Sequence, residues 1–180
     1  MQEHLHLWVF VFLKAILWFG ELSAEETLSH MLITNQVDSC TISIPHPNDS
    51  KLIIDLFVYN KSKPKINVDI VNGSPFIQID MQLEAKVSSY DSTSNFSDRK
   101  LTEQISESAN QYIQNMLSNY LYKMAKEYTV DIDGFGKHCL YRFATVQDLN
   151  NYGWKDHFKD SFFQVNVNTN ILSSFLLTGV

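Results

Sequence analysis

Between Lys65 and Lys86 apolar and polar residues alternate almost without a break. Ile66, Val68 and Ile70 are interleaved with Asn67 and Asp69. Beyond Asn72-Gly73, Ile77, Ile79, Met81, Leu83 and Ala85 are interleaved with Gln78, Asp80, Gln82, Glu84 and Lys86. A period of two sends successive side chains to opposite faces of a strand, and Asn-Gly is the dipeptide that best tolerates positive φ at both turn positions. This stretch predicts an antiparallel hairpin with one wet face. Upstream, "KLIIDLFVYNK" puts Leu52, Ile54, Leu56 and Val58 on one face of a largely buried strand, and Cys40–Pro45 is a shorter strand closed by Pro45 and Pro47. Downstream, Val165, Val167, Thr169 and Ile171 alternate with Asn166, Asn168 and Asn170. That is a last strand, at an edge or in the centre; these strands are expected to form one sheet.

From Leu101 the period becomes helical. Ile105, Ala109, Tyr112, Ile113, Met116, Leu117, Tyr120, Leu121, Met124 and Tyr128 recur at spacings of three and four. Nearly thirty residues at 1.5 Å each make a helix about 40 Å long, with an apolar stripe wide enough to lie across the sheet. No heptad is sustained, so a core-facing helix is read in preference to a coiled-coil partner. "SAEE" at Ser23–Glu26 is a capping box that starts a short helix running to about Leu32. Two more helical pieces are expected near Lys137–Phe143 and Trp154–Ser161, and "SSYDSTSNFSD" before the long helix reads as a polar loop. Strands, a long helix and a returning strand describe an α+β layer. The sheet is largely antiparallel or mixed, unlike a parallel nucleotide-binding fold.

The terminal run "LHLWVFVFLKAILWFG" has no basic residues before it, is interrupted by Lys14 and lacks a small-x-small cleavage site. It is too short for a bilayer span, which needs about 20 apolar residues. Its aromatic and β-branched content favours two short strands, Leu7–Leu13 and Ile16–Phe19, bent around Lys14 and Ala15. On this reading the chain is soluble as given, with residues 1–180 forming a single domain.

Composition narrows the function. The chain is 44% apolar and 13% aromatic, which excludes global disorder, and its net charge is −6 with Lys and Arg scattered. Nucleic acid is therefore not an expected partner, since phosphate contacts need a concentrated basic face. Cys40 and Cys139 lie far apart in unrelated contexts and indicate no redox compartment. The four N-x-S/T sequons are unremarkable in an Asn- and Ser-rich chain.

The chemistry that remains lies in "VDIDGFGKHC". As an EF-hand from Asp131, Gly136 would hold the sixth position. Phe135 would then occupy a ligand position, and Arg142 would stand where the bidentate Glu must be. As a phosphate cradle, Gly134-x-Gly136 lacks the third glycine, and no P-loop lysine follows at the right spacing. Asp and Gly are the residues that turns demand, so Asp131–Gly136 reads as a structural turn. In it Asp131 and Asp133 are expected to accept backbone N–H bonds, Gly134 or Gly136 to take positive φ, and Phe135 to plug the interior. A rival reading is a small metal-dependent or hydrolytic enzyme using Asp131, Asp133 and His138. His138 and Cys139 are neighbours on one short helix and point different ways, His4 and His6 lack a third ligand, and no catalytic, cofactor or metal motif survives.

One further kind of information is in the order of the motifs. "VDIDGFGKHCLYRF … GWKDHFKDSFFQVNVNTNILSSFLLTG" resembles the C-terminal signature of the Ger(x)C family, the C subunits of bacterial spore germinant receptors. That signature is a long helix, D-x-x-G-F-G, a short basic-aromatic helix, W-x-x-x-F, and alternating valines ending near a glycine. Here these are Asp131, Gly134, Phe135, Gly136, Trp154, Phe158, Val165, Val167 and Gly179. "VFVFLKAILWFGELSAEETL" is similar to the family's N-terminal segment through Val11, Phe12, Gly20, Leu22, Glu25, Glu26 and Thr27. The resemblance implies a non-catalytic α+β domain of a lipoprotein that works with two membrane-protein subunits at the spore inner membrane. Against that resemblance, no signal peptide, lipobox or further N-terminal domain is expected in the sequence as read. The chain also reads "FATVQDLNN" where the family has a Pro-Trp pair.

Overall fold

The computed structural model describes residues 22–89 and 99–172. The terminal hairpin expected at 7–19, most of the polar loop, and Gly179 lie outside the described residues. The element order is α1 (Ala24–Ile33), β1 (Cys40–His46), β2 (Asp49–Asn60), β3 (Lys65–Val71), β4 (Ser74–Ser89) and α2 (Arg99–Lys123). A π-helical turn (Met124–Tyr128), a 3-10 helix (Phe135–Arg142), α3 (Val146–Tyr152), α4 (Trp154–Phe158) and β5 (Phe162–Leu172) follow. The result is an α+β layer with a mixed five-stranded sheet, as the periodicities anticipate.

The capping box forms as read. The Ser23 hydroxyl accepts from the Glu26 N–H at 3.2 Å, and a Glu26 carboxylate oxygen accepts from the Ser23 N–H at 2.8 Å. The other Glu26 oxygen takes Lys123 of α2 at 2.5 Å, so one side chain both starts α1 and ties it to the long helix. The hairpin also forms: Val71 pairs with Ser74, and Asn72 and Gly73 take φ of 51° and 85°, the mirror-image turn that matches strand twist.

β4 organises the sheet. β3 pairs antiparallel with Ser74–Asp80 and β2 with Leu83–Ser89, so the two follow end to end along one edge. β5 runs parallel to Phe76–Lys86, a span that overlaps both, so it must take the other edge. The alternating residues resolve as expected: Ile77, Ile79, Met81, Leu83 and Ala85 are buried, with Ile54, Leu56, Val58, Val68 and Val165 beside them. Opposite them, Gln78, Asp80 and Gln82 share the wet face with Asn166 and Asn168. Asn166 donates to Asp80 at 2.6 Å and Asn168 to Gln82 at 3.0 Å.

The buried stripe of α2 is Ile105, Ala109, Ile113, Met116, Leu117, Tyr120 and Leu121. Its polar residues explain how the edges of the sheet are closed. The Ser106 hydroxyl donates to the Thr169 carbonyl, and Asn110 Oδ1 accepts from the Thr169 N–H at 2.7 Å. Ser108, about 200° around the helix from Ser106, donates to the Pro45 carbonyl at 3.2 Å. One helix thus bonds to β5 on one flank and to β1 on the other. Among the described residues β5 pairs with β4 alone, and α2 side chains take both backbone groups of Thr169 on its other side.

The long helix ends where its apolar stripe does: past Lys123 it loosens into the π-helical turn and stops at Thr129, in left-handed geometry at φ 52°, whose N–H reaches the Met124 carbonyl. A β-branched residue is strained there, and nothing in a 3.6-residue pattern marks it. The segment containing "TVQDLNN", read without structure, contains α3. Its N-terminus is held by Thr145 and Asp148, with the Thr145 N–H and hydroxyl on the Asp148 carboxylate at 3.0 and 2.8 Å.

Asn110→Ala strips the buried Thr169 N–H of its acceptor. An unsatisfied buried donor costs about 1–3 kcal/mol. Urea denaturation of this variant is expected to show a midpoint lowered by that equivalent, with an unchanged m-value.

Candidate functional site

The turn after the long helix is built around one carboxylate. Asp131 Oδ1 accepts from the N–H groups of Gly134 and Phe135, both at 2.9 Å. Its Oδ2 accepts from the Gly136 N–H at 2.8 Å and from the Trp154 indole N–H at 2.9 Å. An ionised carboxylate offers about four lone-pair sites, and all are taken. Three consecutive amide groups converge on one side chain because Gly134 adopts φ 79°, the left-handed geometry open to glycine without strain. Gly136 contributes differently. A Cβ there would stand 3.0–3.2 Å from the Trp154 ring, so this glycine makes room for the indole that completes the carboxylate's partners.

Phe135 turns inward, as expected, and is fully buried. Its ring centroid lies 6.4 Å from that of Phe158 and 6.3 Å from that of Phe163, while Trp154 packs 6.0 Å from Phe158. The W-x-x-x-F spacing puts Trp154 and Phe158 four residues apart on α4, so both reach the turn from one helix face. The 3-10 helix beginning at Phe135 packs against β3, where Tyr141 donates to the Val68 carbonyl at 3.1 Å and Arg142 pairs with Asp69. Tyr152 of α3 donates to the Gly73 carbonyl at 2.8 Å, holding the tip of the β3–β4 hairpin.

Asp133 departs from expectation. It caps no helix and accepts no backbone N–H; its side chain, 1% exposed, points into the interior. There it meets His30 Nδ1 of α1 at 2.8 Å and accepts from the Tyr120 hydroxyl of α2 at 3.0 and 3.1 Å. Burial, its largest influence, raises its pKa above the ordinary carboxylate range, against the His30 and Tyr120 hydrogen bonds that lower it. The Tyr120 phenol is likewise pushed up, by burial first and then by Asp133. Neither His30 nor Tyr120 was identifiable as a partner of this turn from the sequence. Tyr120 falls on the apolar stripe, and His30 stands a hundred residues from Asp133; its only local mark is a polar residue where α1 buries a face.

The rival constellation is not assembled. His138 is exposed on the 3-10 helix, and no group of three His, Cys, Asp or Glu placed to hold a metal ion occurs among the described residues. Both cysteines are free: the Cys139 thiol donates to the Gly136 carbonyl at 3.3 Å and Cys40 sits on β1.

Comparison with known proteins places this geometry. Residues 9–174 match the family model described as Spore germination B3/GerAC like, C-terminal, and the chain belongs to that family. No curated protein matches it. Among solved structures, the crystal structure of the GerBC protein is similar at a TM-score of 0.72 with 18% identity, over 86% of this chain and 47% of that one. The shared fold includes the mixed sheet, the long helix and the short helices. This chain spans about half the length of that solved relative.

Two variants test the turn. Asp131→Asn can satisfy only one pair of donors; its amide nitrogen then faces either two backbone N–H groups or the Gly136 N–H and the indole. Each stranded buried donor costs about 1–3 kcal/mol, so this isosteric change is expected to lower the thermal midpoint and to quench or shift Trp154 fluorescence. Gly136→Ala forces the indole away from Asp131. It should destabilise by about 1–3 kcal/mol, as overpacking does, in calorimetry of the same chain.

Proposed function

We propose that the domain catalyses no reaction and serves as the C-terminal part of a C-subunit-like protein of a spore germinant receptor. It acts through protein contacts beside the spore inner membrane. The family supplies the setting, spore germination. The observation that carries the non-catalytic reading is the state of the only carboxylates in the motif. Asp131 has its four acceptor sites filled by Gly134, Phe135, Gly136 and Trp154, and Asp133 is enclosed against His30 and Tyr120. Side chains so engaged have neither free lone pairs nor an open approach for a substrate or metal. On this reading Asp131, Gly134, Phe135, Gly136, Trp154 and Phe158 act by shaping the domain that partners meet.

Among the described residues no helix is long and apolar enough to cross a bilayer. Membrane proximity in this proposal comes from the receptor's membrane subunits and from a lipid anchor of the kind that the Ger(x)C resemblance implies. On this reading the domain would pass a signal on through its contacts, for which a strand bonded to the long helix that crosses the sheet is a suitable frame.

The test is co-purification. The tagged chain, produced in a spore-forming host with the two membrane subunits of a receptor, is expected to be recovered with both from detergent-solubilised spore membranes. A full-length C subunit serves as the positive control. Recovery of the control with its partners and of this chain without them would overturn the proposal.

A further inference from the structure

Thr129 is held in a conformation that its own sequence resists. A β-branched residue at φ 52° is an outlier, and the π-helical turn before it, Met124–Tyr128, is a form that helices rarely adopt. No Gly or Asn stands between Lys123 and Val130 to favour a left-handed stop. Local strain of this kind persists only where the surroundings impose it. Two fixed parts of the fold meet at this joint. On one side the long helix is bonded to β5 and β1 through Ser106, Asn110 and Ser108. On the other the turn is knotted around Asp131.

The bonds of the two aspartates run in opposite directions. Those of Asp131 run forward, to Gly134, Phe135, Gly136 and Trp154. Those of Asp133 run back, to Tyr120 on the long helix and His30 on α1. Tyr120 stands four residues before the π-helical turn begins, and Asp133 four residues beyond Thr129. The Tyr120 hydroxyl donates to both Asp133 oxygens, at 3.0 and 3.1 Å, and so closes a loop around the joint.

We propose that Asp133 is a latch on a strained joint. Its bonds to Tyr120 draw the turn back against the long helix and force Thr129 into left-handed geometry. Without them Met124–Thr129 winds as ordinary α-helix. The two arrangements are discrete, because a π-helical bond spans five residues and an α-helical bond four. Rewinding changes the direction in which the chain leaves the helix, since each α-helical residue turns it by about 100°. The Asp131 knot stays tied and moves with the short helices that it fixes. His30 meets the same carboxylate, so release also removes one tie between α1 and the joint. No change of protonation is needed, because a hydroxyl donates to a carboxyl oxygen in either ionisation state.

A double-mutant cycle on the full chain reads the latch. Tyr120→Phe removes the hydroxyl and keeps the buried ring, while Thr129→Gly removes the cost of left-handed geometry. In the parent chain Thr129→Gly is expected to raise the urea midpoint. In the Tyr120→Phe chain residue 129 stands in α-helix, where glycine is a poor helix former, so the same change is expected to lower the midpoint. If Tyr120→Phe does not fold in buffer, all four chains are compared in trimethylamine N-oxide, which favours the compact state. A shift from Thr129→Gly that is more favourable in the parent than in Tyr120→Phe supports the latch. Equal shifts in the two backgrounds would overturn it, because the strain at Thr129 would then not depend on Tyr120.

Discussion

The carboxylate of Asp131 is the constraint on which the second half of the domain depends. Three amide N–H groups in a row and an indole N–H from twenty-three residues further on converge on its two oxygens. Charge-assisted hydrogen bonds of this kind are about twice as strong as neutral ones. Their effect is geometric as well as energetic. They set Gly134 in its left-handed geometry, start the 3-10 helix at Phe135 and fix where α4 stands. With α4 fixed, Phe158 meets Phe135 and Phe163, and the short helices seal the end of the sheet where Phe163 lies beside Ile77. One side chain thereby couples a turn, two helices and the last strand.

The other half is governed by the length of β4. At sixteen residues it is long enough to hold two antiparallel partners on one edge, which leaves the opposite edge for a strand arriving from the far end of the chain. A parallel partner cannot be reached by a hairpin, so the chain must cross the sheet first. The long helix makes that crossing, with the turn and the short helices completing it. The hydrogen bonds that Ser106 and Ser108 donate to strand carbonyls, and that Asn110 accepts from a strand amide, show why the crossing helix is not apolar throughout. Its flanks meet β5 and β1, where carbonyl and amide groups not used in strand pairing need partners.

Much of this was legible from residue order alone, and the division between what was and what was not is physical. The capping box, the Asn-Gly hairpin, the buried faces of β2 and β4 and the stripe of the long helix are local signals, because each is specified by residues within a few positions of one another. The α+β class follows from their order. The edge position and parallel direction of β5 depend on which side of β4 is already occupied, which no alternation of Val and Asn can encode. Asp131 and Asp133 were both visible as turn residues, yet their fates differ through distant partners. Trp154 reaches the first, while His30 and Tyr120 receive the second. The left-handed conformation at Thr129 was illegible for a related reason: a residue that resists this geometry is placed in it by surrounding contacts.

In this chain the pattern D-x-x-G-F-G with W-x-x-x-F can therefore be understood as one interlocked object. The aspartate needs the amide groups of the next turn and the indole. The first glycine supplies the backbone geometry that brings those amide groups round, and the second clears space for the indole. The phenylalanines occupy the interior that the turn and α4 enclose. Each residue type is required by the others, so the pattern would persist wherever this junction between the helix and the last strand is built, whatever chemistry the rest of the protein performs. Asp133 takes no part in this interlock. In this chain it has been drawn inward to a histidine and a tyrosine, adding a titratable contact to a frame that Asp131 already holds.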